Sequence, residues 1–228
     1  MKCLMLMMGG SGTRYGTKIP KQFLEVNGKP LFMYTLKKYL EFNLIDKVVV
    51  VSNPEWMDYS RVYSASILKD KLLAVVPGGR TRSHSVKNGL EYCKDHLSCE
   101  DLIMIHDTTN PFVDPDAVEK AIEAAKKTGA AVVGTNQYHT IYIKDSAGKI
   151  IRFIPRETVG SGYSPEVFRF SLVYEHYLHA DDESLESTTS TIALTLDEKT
   201  EVCFIPANLV NLKITYPHDM KAFLSIIR

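Results

Sequence analysis

The 228-residue sequence has no surplus of charge, because 27 lysines and arginines balance 27 aspartates and glutamates. Its overall charge therefore gives no reason to expect nucleic-acid binding, and any anion site must be local. The sequence also lacks an apolar run of membrane-spanning length and a signal-peptide pattern at its amino terminus. We expect a cytoplasmic protein with neither a membrane partner nor a nucleic-acid partner.

Cysteine is scarce and is not spaced like a metal site. The cysteines are Cys3, Cys93, Cys99 and Cys203. They form no C-x-x-C pair, and His106 and His139 are too isolated to complete a zinc cluster. We expect buried or neutral thiols rather than disulfides or metal ligands.

A glycine-rich stretch follows the first apolar run, residues 4–8. Its glycines are Gly9, Gly10, Gly12 and Gly16, and its cations are Arg14, Lys18 and Lys21. Glycines let backbone N–H groups approach phosphate oxygens closely, so the stretch predicts a phosphate-binding loop. The alternative is an ordinary basic turn after a strand. Tyr15 replaces the last glycine of the dinucleotide fingerprint, and the Walker spacing is absent.

Strand-like and helix-like segments alternate over the first 135 residues. The predicted strands are 4–8, 48–51, 72–76, 101–105 and 130–134, and the predicted helices are 31–42, 56–68, 83–92 and 114–131, the third capped by Ser83 or a neighbour. This order predicts an α/β fold with a mostly parallel, doubly wound sheet. The polar loops 9–21, 77–85 and 106–112 then meet at the carboxyl ends of the strands.

The pattern changes after residue 135. Alternating segments at 138–144 and 149–154 flank a turn, which predicts a β-hairpin. A hairpin cannot bury both faces alone, so a partner surface is expected. Beyond it we predict a helix over 166–177, strands at 200–206 and 211–215, and a final helix through Ile227. The whole chain, 1–228, is expected to form one domain with a hairpin arm at about 135–162.

Three motifs together resemble a known family. They are G-G-x-G-T-R…P-K-Q-F-L at 9–24, G-G-x-x-R-x-x-S-V at 78–86 and N-L-K-I-T at 211–215. Their residues and spacing resemble those of the nucleotidyltransferase branch that contains the methylerythritol-phosphate and ribitol-phosphate cytidylyltransferases. The resemblance implies a glycosyltransferase-A-like fold, CTP and a small phosphorylated alcohol as substrates, Mg²⁺ as cofactor, and a homodimer formed through the hairpin arm.

The resemblance also assigns roles to residues. The catalytic residues would be Arg14, Lys21 and Lys213. The nucleotide-binding residues would be Met8, Gly9, Gly10, Gly12, Thr13, Gly79, Arg82 and Ser85. The acceptor-binding residues would be Thr140, Arg156 and Thr189. The metal ligand would be Asp107, where a carboxylate at a strand end can share Mg²⁺ with phosphate oxygens.

Simpler structural roles stand beside these assignments. Lys213 is otherwise a solvated lysine, Arg156 a surface arginine, and residues 78–85 a helix start with a serine cap.

The sequence departs from the family pattern on the acceptor side. Asn110 stands where the family has arginine, and His139-Thr140 stands where it has Asp-Thr. The family's Q-T-P-Q reads Tyr163-Ser164-Pro165-Glu166, and no acid follows Thr189.

We therefore predict a cytidylyltransferase that transfers CMP to an altered polyol or related phosphate. One alternative is a methylerythritol-phosphate or ribitol-phosphate cytidylyltransferase in the strict sense. Another is a catalytically weak nucleotide-binding homologue, which the joint retention of the predicted cations and Asp107 argues against.

Overall fold

The computed structural model describes residues 1–12, 15–208 and 210–227. Within these ranges the strands are β1 (Lys2–Met8), β2 (Glu25–Val26), β3 (Lys29–Pro30), β4 (Lys47–Ser52), β5 (Leu72–Pro77), β6 (Leu102–Asp107), β7 (Gly129–Asn136), β8 (Ile141–Lys144), β9 (Ile150–Ile154), β10 (Gly160–Arg169) and β11 (Glu201–Pro206). The helices are α1 (Phe32–Glu41), α2 (Met57–Leu68), α3 (Arg82–Cys93), α4 (Pro115–Thr128), α5 (Phe170–His179), α6 (Asp182–Ser187), α7 (Thr191–Thr195) and α8 (Pro217–Ile226).

The described strands form a central sheet in the order β11-β7-β10-β6-β1-β4-β5. Strands β1, β4, β5 and β6 run parallel, and β11 runs parallel to β7. Strand β10 is antiparallel to both of its neighbours, β6 and β7. The prediction of an α/β fold with a mostly parallel sheet is confirmed.

Side chains on the two faces of the sheet enter different cores. Along β1, Leu4, Leu6 and Met8 pack with α1, α2 and α4 on one face. The alternate residues, Met5 and Met7 among them, pack with α3 and α5 on the other. Successive side chains of a strand point to opposite faces, so one apolar run serves both layers. Helices on both faces make the sheet doubly wound, as predicted.

A third, smaller cluster attaches the end of the chain to this framework. Met220 and Phe223 of α8 pack with Leu31 and Val26 near the start of α1. Ile214, just before α8, is fully buried in the same cluster. The segment that carries Lys213 is thereby fixed beside the first half of the chain.

The predicted hairpin is present as β8 and β9, which form their own two-stranded sheet. Four large apolar side chains on its strands, and Tyr138 just before β8, are exposed. They are Tyr138, Tyr142, Ile150, Ile151 and Phe153.

The helix predicted over 166–177 is wrong in its first part. Residues 160–169 form β10, and helix α5 begins only at Phe170. Because β10 lies between β6 and β7, residues 163–168 are all buried and show no alternation of apolar and polar residues. A continuous buried run does not distinguish a strand from a buried helix by its period.

Two further boundaries differ from the prediction. Residues 211–215 are not a strand, and Ile214 makes a single backbone bond to the Thr109 carbonyl, 2.8 Å long. Helix α4 ends at Thr128 instead of Ala131, because Gly129 adopts a left-handed φ of 96° that terminates it. The predicted edge strand near 200–206 is confirmed as β11.

The cysteines are free thiols, as expected. Cys3 and Cys93 are buried, Cys203 is partly buried and Cys99 is exposed. Among the described residues, no helix is both long and apolar enough to cross a membrane.

Gly134 of β7 and Gly162 of β10 lie opposite each other and form a matched pair for substitution. A Cβ at Gly134 would meet the Phe204 ring and lie 2.5 Å from the Ser161 carbonyl oxygen, whereas at Gly162 its nearest neighbour would be 3.7 Å away. We expect Gly134→Ala to lower the free energy of unfolding by about 1–3 kcal/mol, as overpacking does.

Urea denaturation monitored by circular dichroism measures this difference, with Gly162→Ala as the control. Equal losses in the two variants would show that the packing around Gly134 can relax.

Candidate active site

A cavity of about 500 Å³ opens at the carboxyl ends of β1, β5 and β6. The structure brings most of the predicted nucleotide, catalytic and metal residues to its lining. They are Met8, Gly9, Gly10, Gly12, Lys21, Gly79, Arg82, Ser85, Asp107 and Lys213. Thr13 and Arg14 lie outside the described residues. The three polar loops predicted to meet at one edge of the sheet therefore do meet.

Gln22 fixes the glycine-rich loop from behind. Its Nε2 donates to the Met8 carbonyl at 2.8 Å and to the Gly10 carbonyl at 2.7 Å. The side chain is almost fully buried, so these bonds are shielded from water. Gln22 is part of the motif at 9–24, and no role was predicted for it. An amide side chain beside a glycine-rich loop is a signal that could have indicated one, because the backbone groups of such a loop need hydrogen-bond partners.

The second loop packs against the first through backbone. A Cβ at Gly78 would lie 3.0 Å from the Gly9 Cα, so the two loops approach as only glycines allow. Ser85 accepts from the Gly79 N–H at 2.9 Å and donates to the Thr81 carbonyl at 2.9 Å. The cap of α3 is Thr81, whose side chain accepts from the His84 N–H, and not Ser83. Ser85 thus shapes the loop that lines the cavity.

Side chains of alternating charge contact one another in the lining of the cavity and just behind it. Lys213 Nζ donates to Asp107 Oδ2 at 2.9 Å, and Arg82 Nε donates to Asp107 Oδ1 at 3.0 Å. Arg82 Nη2 in turn donates to Glu166 Oε2 at 2.9 Å. Burial raises the pKa of Asp107, but Arg82 and Lys213 outweigh it and hold that pKa far below its usual range. Asp107 is therefore ionised at neutral pH.

Arg82 is engaged at each of its nitrogens. Its remaining group, Nη1, donates to Thr191 Oγ1 at 3.1 Å. Burial lowers the pKa of Arg82, and the two carboxylates more than offset that effect, so the guanidinium stays charged. In the described structure Arg82 joins α3, β6, β10 and α7 from the wall of the cavity.

Glu166 and Thr191 were not predicted as site residues. Glu166 was placed at the start of a helix, and only the correct assignment of β10 puts its carboxylate beside Arg82. The available signal was a carboxylate among buried residues, because such a group is rarely buried without a partner.

The acceptor-side residues are not gathered in the same way. Thr140, Arg156 and Thr189 are exposed, and none is among the described residues that line the cavity. Arg156 Nη1 donates to the Tyr138 carbonyl at 2.9 Å, within the arm. Asn110 is buried, and its Nδ2 donates to Ser164 Oγ at 2.9 Å. One chain by itself thus brings together the nucleotide half of the predicted site.

The surroundings of Asp107 bear on its predicted role as a metal ligand. No group of three or more His, Cys, Asp or Glu side chains among the described residues could hold a metal. Mg²⁺ in nucleotide sites often takes only one or two carboxylates and completes its shell with phosphate oxygens and water. Asp107 suits that arrangement, because its carboxylate faces the cavity and is ionised.

Comparison with known proteins places the chain in a family. The family model described as IspD, 2-C-methyl-D-erythritol 4-phosphate cytidylyltransferase, matches residues 3–228. The chain belongs to this family. It is a nucleotidyltransferase of the cytidylyltransferase type.

Individual relatives agree over nearly the whole length. The chain is 33% identical to the 2-C-methyl-D-erythritol 4-phosphate cytidylyltransferase of Thermotoga neapolitana over 97% of this chain and 94% of that protein. It is 32% identical to the enzyme of that name from Clostridium botulinum, over 96% of each chain. The crystal structure of 4-diphosphocytidyl-2C-methyl-D-erythritol synthase from Anaerococcus prevotii superposes with a TM-score of 0.80 at 23% identity, covering 99% of this chain and 97% of that one, and shows the shared fold.

Proposed function

We propose that this enzyme transfers CMP from CTP to the phosphate of a small phosphorylated alcohol and releases diphosphate. The observation that supports it most directly is the cavity, where two glycine loops, two lysines and an ionised aspartate converge. Backbone N–H groups and lysines suit a triphosphate, and the loop built on Gly78 and Gly79 lets a flat pyrimidine lie against backbone. Membership of a cytidylyltransferase family favours CTP as the nucleotide.

The reaction needs position and charge more than covalent help. An oxygen of the acceptor phosphate attacks the α-phosphorus of CTP. The bond between that phosphorus and the oxygen linking it to the β-phosphorus breaks, and diphosphate leaves. Lys21 and Lys213, with Arg14 beyond the described residues, are proposed to neutralise the charge that grows on the phosphoryl oxygens. Asp107 is proposed to hold Mg²⁺, which would supply positive charge to offset the charge of the phosphate groups.

Two observations bear on the acceptor. The relatives are named for 2-C-methyl-D-erythritol 4-phosphate, which favours that compound as the first acceptor to test. The altered residues favour a different polyol phosphate, because Asn110 brings no charge and turns to Ser164. Both candidates share a phosphomonoester on a short hydroxylated chain, and ribitol phosphate belongs to the same class.

We also propose that the enzyme works as a homodimer through the arm at about 135–162. The arm exposes five large apolar side chains, four of them on the two-stranded sheet, and such a surface calls for a partner. Thr140 and Arg156 lie on that arm, away from their own chain's cavity. A second copy could bring these residues to the acceptor half of the site.

Lys21→Ala tests the assignment of catalytic charge. Because a preorganised cation is removed beside the triphosphate, we expect turnover to fall by about 10²-fold or more. Diphosphate release with saturating CTP and acceptor measures the effect. Near-normal turnover would contradict the role given to Lys21. Lys37→Ala, at an exposed position of α1, is the control.

A matrix of nucleotides and acceptors identifies the substrates. We expect diphosphate release with CTP well above that with ATP or GTP, and with at least one phosphorylated polyol. Methylerythritol, ribitol and glycerol phosphates form the first panel. Bound CTP without release for any acceptor would instead support a nucleotide-binding homologue.

Light scattering of the purified protein tests the dimer. We expect a mass of two chains, and we expect Ile151→Lys with Phe153→Lys to give a monomer, because two charges would have to enter the apolar contact. Val62→Lys, at an apolar residue 73% exposed on α2, is the matched control and should remain dimeric. A monomeric native protein would rule out the proposed assembly.

A further inference from the structure

Glu166 is a charged residue close to the reaction site but behind its wall. It lies on β10, is only 5% exposed and is not among the described residues that line the cavity. A carboxylate buried at such a place needs a compensating partner, and here the partner is Arg82.

The contact with Glu166 determines where the charge of Arg82 sits. Arg82 lies between two carboxylates, with Nε 3.0 Å from Asp107 Oδ1 and Nη2 2.9 Å from Glu166 Oε2. Its planar fork allows both bonds at once, which a point charge would not. Glu166 therefore takes up part of the positive charge that would otherwise act on Asp107 and on the cavity.

Asp107 accepts hydrogen bonds from two cationic side chains and is also the proposed ligand of a divalent cation. In the described structure its two oxygens already accept from Arg82 and Lys213. Lys213 is half exposed and can move its ammonium to an incoming phosphate, whereas Arg82 is held at three nitrogens. The strength with which Arg82 holds Asp107 thus limits how strongly that carboxylate binds a further cation.

We propose that Glu166 is a positioning residue for CMP transfer: it holds Arg82 and thereby keeps Asp107 available to the divalent cation that accompanies CTP. This inference rests on the proposed function. Glu166 acts only through Arg82 and Asp107, and it takes no part in bond making or breaking.

A purely structural role for Glu166 is the competing explanation. Its other oxygen, Oε1, accepts from Ser190 Oγ at 2.7 Å and from the Ile192 N–H at 3.3 Å, and so anchors the start of α7. Ser190→Ala removes the first of these bonds and leaves the charge of Glu166 in place. It separates anchoring of α7 from control of Arg82.

The test is Glu166→Gln, which keeps the shape and removes the charge. We expect CTP to bind about fivefold more tightly in EDTA, since the cavity gains net positive charge. We expect Mn²⁺, used as the probe cation, to bind the protein–CTP complex about fivefold more weakly, because Arg82 then holds Asp107 more firmly. Calorimetry measures the first change and electron paramagnetic resonance of free Mn²⁺ the second.

Controls decide between the two roles. Glu198→Gln, an exposed change of the same net charge, should leave both constants unaltered. Ser190→Ala should also leave them unaltered; if it reproduces the changes, Glu166 only anchors α7 and the inference is overturned. Unchanged constants in Glu166→Gln overturn it as well. Should that variant fail to fold, Glu166→Asp, which draws the carboxylate back by one methylene, is expected to shift both constants in the same directions by less.

These readouts do not depend on turnover. A native protein that binds CTP and Mn²⁺ but releases no diphosphate would contradict the proposed function and still allow the role of Glu166 to be judged. A native protein that transfers CMP, with a Glu166→Gln variant of unaltered binding, would contradict only the inference.

Discussion

The contact between Arg82 and Asp107 is the interaction on which the site depends. Asp107 ends a strand at the centre of the sheet, and Arg82 begins the helix that follows another strand. Their bond therefore joins two crossover units of the fold at the point where the cavity opens. Burial would disfavour either charge alone, so each group requires the other in place.

Backbone approach is the second constraint, and it explains the use of glycine. The loops after β1 and β5 touch through Gly9 and Gly78, and a Cβ at Gly78 would lie only 3.0 Å from the Gly9 Cα. Gln22 and Ser85 then hold the loops in shape by bonding to their carbonyl and amide groups. The described main chain of these loops is thus held from behind by side-chain hydrogen bonds.

The sequence predicted the parts of this arrangement that depend on local pattern. The apolar run at β1, the Asp107 strand end and the hairpin turn are each visible within a few residues, and strand-end loops converge by topology. Contacts between distant segments were less visible. Glu166 reaches Arg82 only because β10 runs antiparallel beside β6, and its uninterrupted burial concealed the strand.

The structure places Arg82 where it was predicted, but its contacts differ from its predicted role. Arg82 was predicted to bind nucleotide, and the structure shows it occupied by protein acceptors on three sides. The positive charge of Arg82 predicted that it would contact anions. In the folded chain these anions are the carboxylates of Asp107 and Glu166. The predicted acceptor residues Thr140 and Arg156 are exposed and are not among the described residues that line the cavity.

The backbone beside Lys213 is fixed, whereas its side chain is half exposed. Its neighbour Ile214 is fully buried and bonded to the Thr109 carbonyl, while its own side chain is half exposed. An exposed side chain changes rotamer within picoseconds to nanoseconds, far faster than loops or domains move. In the proposed reaction, a change of side-chain rotamer would be enough to bring the charge of Lys213 from Asp107 to a phosphate, with no rearrangement of the backbone.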